Sequence, residues 1–130
     1  MRYVIFSSII VAFIAVLIAG CSSTAPTPVS TQYDSLAKCM TAHNVTMYGA
    51  YWCPHCQNTK KTFSSSFQYV NYVECGVQGD PSAQAPECTA LNITAYPTWQ
   101  INNARIEGEL SIFDLANDSG CIDALTNTTA

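Results

Sequence analysis

At 130 residues the chain is long enough for one domain, and 48% of it is hydrophobic, so a packed core is within reach. The net charge is −4, with five Lys and Arg in all and no basic run, which excludes a nucleic-acid-binding face; Lys60 and Lys61 alone are too few to track phosphates.

The first element is a targeting segment. Val4 to Ala19 is almost unbroken apolar sequence, interrupted only by Ser7 and Ser8 and preceded by one charge, Arg2. Leu17-Ile18-Ala19-Gly20-Cys21 resembles the lipobox of prokaryotic lipoprotein signal peptides, which implies cleavage before Cys21 and a lipid anchor on its thiol. The alternative is an uncleaved membrane anchor, since Tyr3 to Gly20 is near the lower limit for a spanning helix. Residues 1–20 are therefore a signal peptide or anchor and 21–31, rich in Ser, Thr and Pro, a flexible linker. Either reading puts the remainder on the extracytoplasmic face of the cell membrane.

The domain itself is expected over residues 32–121, followed by a polar tail at 122–130. Tyr33 to Met40 has helical spacing, with Asp34 or Ser35 able to cap its start. Val45 to Ala50 reads as a buried strand, and a helix follows from the cysteine motif to about Phe67. Tyr69 to Glu74 alternates and is rich in β-formers. Gly76, Gly79, Asp80 and Pro81 form a loop, and Ala85 to Leu91 a short helix. Tyr96 to Ile101 is a strand, turned by Asn102-Asn103 into a hairpin with Arg105 to Gly108. Ser111 to Ala116 closes the domain as a helix with Ser111 as its N-cap. The order β-α-β, α, β-β-α predicts an α/β fold with a mixed central sheet flanked by helices.

Chemistry concentrates in Trp52-Cys53-Pro54-His55-Cys56. Cys53 falls at a helix N-terminus, where unpaired N–H groups and the helix dipole lower a thiol pKa, and one helical turn brings Cys56 within bonding reach. Cys53 is the expected nucleophile and Cys56 the resolving thiol; a structural disulfide or half a zinc site is the competing reading. His55 and Pro54 are expected to tune the pair, because a charged or hydrogen-bonded imidazole stabilises the thiolate and raises the reduction potential.

These motifs, with Tyr96-Pro97-Thr98 after them, resemble the thioredoxin superfamily. The resemblance implies a cis-proline at Pro97 packed against the two thiols, with Trp52, Tyr96 and Pro97 as the substrate-binding platform. Met47 to Cys56, together with Tyr72-Val73-Glu74-Cys75, Glu87-Cys88-Thr89 and Tyr96 to Trp99, looks like the thioredoxin-like (DsbA-like) domain partner of prokaryotic vitamin K epoxide reductase homologues. That family implies a quinone-linked membrane oxidase as partner, cysteine-containing client proteins as substrates and no dissociable cofactor. Cytoplasmic thioredoxin carries a buried Asp in the strand before its motif, where this chain has Met47. Proton transfer from Cys56 must then use water, Glu74 or His55, or proceed more slowly.

Setting Cys21 aside leaves six cysteines, an even number suited to an oxidising compartment. Cys75 and Cys88 enclose the Gly/Pro/Asp loop and are expected as a structural disulfide, with a redox relay as the alternative. Cys39 and Cys121 are expected to clamp helix one to the end of the last helix; the resembled family has matching cysteines only in some members, and free thiols stay open. Four Asn-x-Ser/Thr sequons, at Asn44, Asn92, Asn117 and Asn127, mark surface positions with or without glycans. The sequence thus predicts an enzyme, a protein disulfide oxidoreductase forming disulfides in secreted proteins. Its rivals are a reductase or isomerase, and a carrier or structural module binding metal through Cys53, Cys56, Cys75 and Cys88.

Overall fold

The computed structural model describes residues 32–126. The targeting segment, the linker, Cys21 and Asn127 lie outside the described residues.

Helix α1 (Asp34–Ala42) buries Leu36, Ala37 and Met40 along one stripe. Its cap position falls on Tyr33 with no side-chain cap, so neither Asp34 nor Ser35 plays that part. The Asp34 carboxylate is instead engaged by the Ser66 hydroxyl, 2.7 Å away. Strand β1 (Thr46–Gly49) leads into helix α2 (Pro54–Phe63), which buries Cys56, Thr59 and Phe63. This helix stops short of Phe67 because Ser64 turns to φ +50°, after which Ser64–Tyr69 winds as a 3₁₀ helix. Strand β2 (Asn71–Glu74) follows.

The stretch expected as a loop after Cys75 is a small antiparallel hairpin, β3 (Gly76–Val77) with β4 (Asp80–Gln84), reversing through Gly79 at φ +84°. Pro81 is tolerated because this ribbon has only two strands, leaving an outer edge where a missing N–H costs no ladder bond. Helix α3 (Pro86–Ala90), the hairpin of β5 (Thr98–Ile101) and β6 (Ala104–Glu107), and helix α4 (Ile112–Asp118) complete the expected order. Ser111 caps α4 by accepting from the Asp114 N–H at 3.1 Å. Beyond it, Ile122–Thr126 forms a fifth short helix, α5, whose Ile122, Ala124 and Leu125 pack on the core.

The main sheet runs β2-β1-β5-β6, with β1 and β2 parallel and the other neighbours antiparallel. Alternation along β1 puts Met47 among the Trp99, Phe63, Leu36 and Leu115 core, while Tyr48 packs on a second cluster of Cys75, Cys88 and Ile93. Both faces are therefore covered, giving a mixed sheet flanked by helices, consistent with a thioredoxin-like domain.

Three helices end alike. Asn44 (φ +58°), Asn92 (φ +54°) and Gly120 (φ +72°) take the left-handed conformation just past α1, α3 and α4. In each case the next residue, Val45, Ile93 or Cys121, donates its N–H back into the last turn, to Met40, Cys88 or Ala116, at 2.7–2.9 Å. Two of the sequon asparagines are thus helix stops, and Asn44, Asn92 and Asn117 are all exposed.

Candidate dithiol site

Strand β1 ends at Gly49, and the Cys53 N–H bonds back to the Ala50 carbonyl at 3.0 Å, closing the turn that launches α2. Cys53 occupies the N-cap of α2 and Pro54 its first turn, where a missing N–H is harmless. Helix periodicity then carries Cys56 one turn inward. Both cysteines are free thiols and buried, Cys53 with 4% of its surface exposed and Cys56 with none. The Cys53 Sγ donates to the Tyr96 carbonyl at 3.4 Å, and the Tyr96–Pro97 bond is cis. Exposed Trp52 meets the Tyr96 ring edge to face, centroids 5.8 Å apart.

The environment treats the two thiols differently. Burial pushes the Cys56 thiol from 9.0 up to about 12, and contact with Cys53 adds to this, while the Ala50 backbone and the Lys60 charge pull it down. Cys56 is thereby held as a neutral thiol, the form suited to a resolving cysteine awaiting deprotonation.

His55 does not bond to the Cys53 sulfur. It stands on the exposed first turn of α2 and pairs through Nδ1 with Glu109 Oε2 at 3.0 Å. Glu109 lies 54 residues away and carries no sequence signal linking it to the motif. Tyr72 is the other residue that the motif reading left out. It stands opposite Met47 across the parallel β1–β2 pair, and Glu74 stands opposite Gly49. A period-2 reading of β2 puts Tyr72 and Glu74 on one face, and this signal was available.

Cys75 is bonded to Cys88 (Cα–Cα 5.7 Å) and Cys39 to Cys121 (5.9 Å). The first bond removes two sulfurs from the four-thiolate metal set, so that set is not available in this state. Both its sulfur-bearing residues are fully buried. The donors that do converge among the described residues are Cys39, His43 and Cys121, with both sulfurs committed to the disulfide. Among the described residues no helix is long and apolar enough to cross a membrane.

Fold and site together define a small mixed α/β domain built around a free, buried dithiol at a helix start. No family model matches the chain. It is similar to the thiol-disulfide oxidoreductase LTO1 of Arabidopsis thaliana, 35% identical over 89 residues, which is 66% of this chain and 24% of that protein. The chain thus spans about a quarter of the length of this curated relative, and the likeness fits a thioredoxin-like domain.

Proposed function

We propose that this protein is a membrane-anchored, extracytoplasmic thiol–disulfide oxidoreductase of thioredoxin fold that introduces disulfides into secreted client proteins. The observation that carries the reading is the division among its cysteines. The pair at the α2 N-terminus is free, while the four other cysteines of the described residues are bonded to one another. Bonded structural cysteines beside a free dithiol suit an oxidising compartment and a dedicated exchange site. The similarity to a thiol-disulfide oxidoreductase points the same way.

In this reading a client thiolate attacks Cys53 of the Cys53–Cys56 disulfide, releasing Cys56 and forming a mixed disulfide. A second client thiol then attacks the client sulfur and displaces Cys53, leaving the client oxidised and the protein a dithiol. Trp52 and Tyr96 form the rim on which the client lies, Pro97 being fully buried and excluded from direct contact, and a quinone-linked membrane enzyme of the vitamin K epoxide reductase type restores the disulfide. The test is the reduction potential of Cys53–Cys56 in the full-length protein, read by thiol trapping across glutathione buffers. A value at or above roughly −180 mV supports the oxidase, whereas one near roughly −270 mV, that of thioredoxin, makes the protein a reductase.

A further inference from the structure

The strand before the motif offers no carboxylate, since Met47 is fully buried among apolar side chains. Cys56 nonetheless has to exchange a proton each time it is released or attacks. His55 faces outward to Glu109 and leaves the inner thiol unattended. The groups that converge on Cys56 come from the neighbouring strand and from α2 itself.

Gly49 marks the meeting point. A Cβ there would lie 2.9 Å from Cys56 Sγ, 2.9 Å from Tyr72 Cε2 and 3.2 Å from the Tyr72 hydroxyl. Only glycine lets the thiol and the phenol approach the same spot on β1. The Tyr72 hydroxyl then donates to Glu74 Oε2 at 2.8 Å, two residues along the same strand face. The other carboxylate oxygen, Oε1, is fixed by the N–H groups of Tyr51 and Gly76, each at 2.9 Å. Glu74 is half-buried, so it connects an enclosed thiol with solvent. Lys60, one turn beyond Cys56 on α2, places its ammonium 3.8 Å from the Tyr72 ring centroid, and its charge favours the Cys56 thiolate.

We propose that Tyr72 and Glu74 form the proton relay of the resolving thiol, taking over the work of a buried acid at the Met47 position. The proposal rests on the dithiol reading above. In the closing step the Cys56 proton passes to the Tyr72 oxygen as the Tyr72 proton passes to Glu74 Oε2. The sulfur electron pair so released forms the bond to Cys53 Sγ, and the bond from Cys53 to its partner sulfur breaks, the partner leaving as a thiolate. Cys56 is oxidised, the partner sulfur is reduced, and Cys53 stays at the disulfide level. Opening the disulfide runs the relay backwards, so that Cys56 leaves as a thiol. Tyr72 never has to become a phenolate, which its burial and its bond to Glu74 disfavour. The charged or titratable groups around Cys56 are Cys53 and Lys60, with Tyr72 beside it at Gly49, and those around Tyr72 are Glu74, Cys56, Cys53 and Lys60.

The experiment mixes reduced full-length protein with oxidised glutathione and quenches with acid at intervals. Mass spectrometry separates formation of the Cys53–glutathione adduct from its closure by Cys56. In Glu74→Gln and Tyr72→Phe, each nearly isosteric, adduct formation should keep the wild-type rate while closure at pH 7 slows about tenfold or more, the lower end of general-base effects being near a hundredfold. The deficit should shrink steadily towards pH 10, where Cys56 begins to ionise unaided. Closure at the wild-type rate in both variants, or slowing by one constant factor at every pH, would overturn the relay. Failure of wild-type protein to form either an adduct on Cys53 or a Cys53–Cys56 disulfide would instead overturn the dithiol reading itself.

Discussion

Two regions of the molecule hold sulfur in opposite ways. At the N-terminus of α2, Cys53 and Cys56 are three residues apart, unbonded, and beside an exposed Trp52 and the Tyr96 carbonyl. In the last turn of α1 and between α4 and α5, Cys39 and Cys121 are 82 residues apart and joined, with Gly120 at φ +72° turning the chain ahead of buried Cys121. The difference is one of pairing. A helix start alone does not decide it, since Cys121 directly precedes α5 and Cys88 lies in the first turn of α3, yet both are bonded, whereas Cys53 and Cys56 at the start of α2 are free thiols. Two pairs of cysteines thus brace the fold, and the third is left as a dithiol.

The sharpest way to break this comparison is to exchange the thiols. Cys53→Ser should reduce disulfide exchange with a model peptide to the uncatalysed background while leaving the urea midpoint of the fold nearly unchanged. Removing the bonded cysteines should do the reverse. Replacing Cys39 and Cys121 by Ala opens a link of sequence separation 82 and should cost about 4–5 kcal/mol, against about 3 kcal/mol for the separation of 13 between Cys75 and Cys88. Denaturant unfolding of the two double variants checks that order, and exchange at Cys53 should survive in whichever still folds.

A subtler prediction concerns pH. The Cys56 thiol has a folded pKa raised from 9.0 to about 12, so the folded state holds its proton more tightly than the unfolded chain does. The stabilisation is complete below about pH 9 and declines as pH rises from there to about 12. Reduced protein should lose stability across that window relative to oxidised protein, in which Cys56 has no proton to lose. Parallel stability curves for the two forms above pH 9 would count against this burial effect. The smallest effect expected is at the helix stops. Asn44→Gly and Asn92→Gly should be neutral or stabilising by some tenths of a kcal/mol, because glycine adopts positive φ without cost, while Asn44→Ala should destabilise by up to about 1 kcal/mol.

Much of this was legible from sequence because the governing signals are local. The strand run Tyr96 to Ile101, the Asn102-Asn103 turn and the Ser111 cap each occupy a few adjacent residues, and the structure shows the corresponding strand, hairpin and capped helix. The hairpin at Gly76 to Gln84 was missed because Gly79, Asp80 and Pro81 are turn and breaker residues individually. Only the pairing of two short edges makes them strands. Helix α2 was read too long because no residue type announces positive φ at Ser64. In the site, the thiols could be read from their spacing and Glu74 was already a candidate, but its link to Cys56 through Tyr72 depends on the β1–β2 register. The pairing of His55 with Glu109 is tertiary and left no trace in the sequence.

The most direct test of the central claim uses Cys56→Ser in the full-length protein, which removes the resolving thiol and strands any intermediate. The reduced variant is exposed to oxidised glutathione, digested without reduction and mapped by mass spectrometry. The account predicts one glutathione on Cys53, with the Cys39–Cys121 and Cys75–Cys88 peptides still joined. An unmodified Cys53, or glutathione carried instead by the sulfurs of those two pairs, would contradict it.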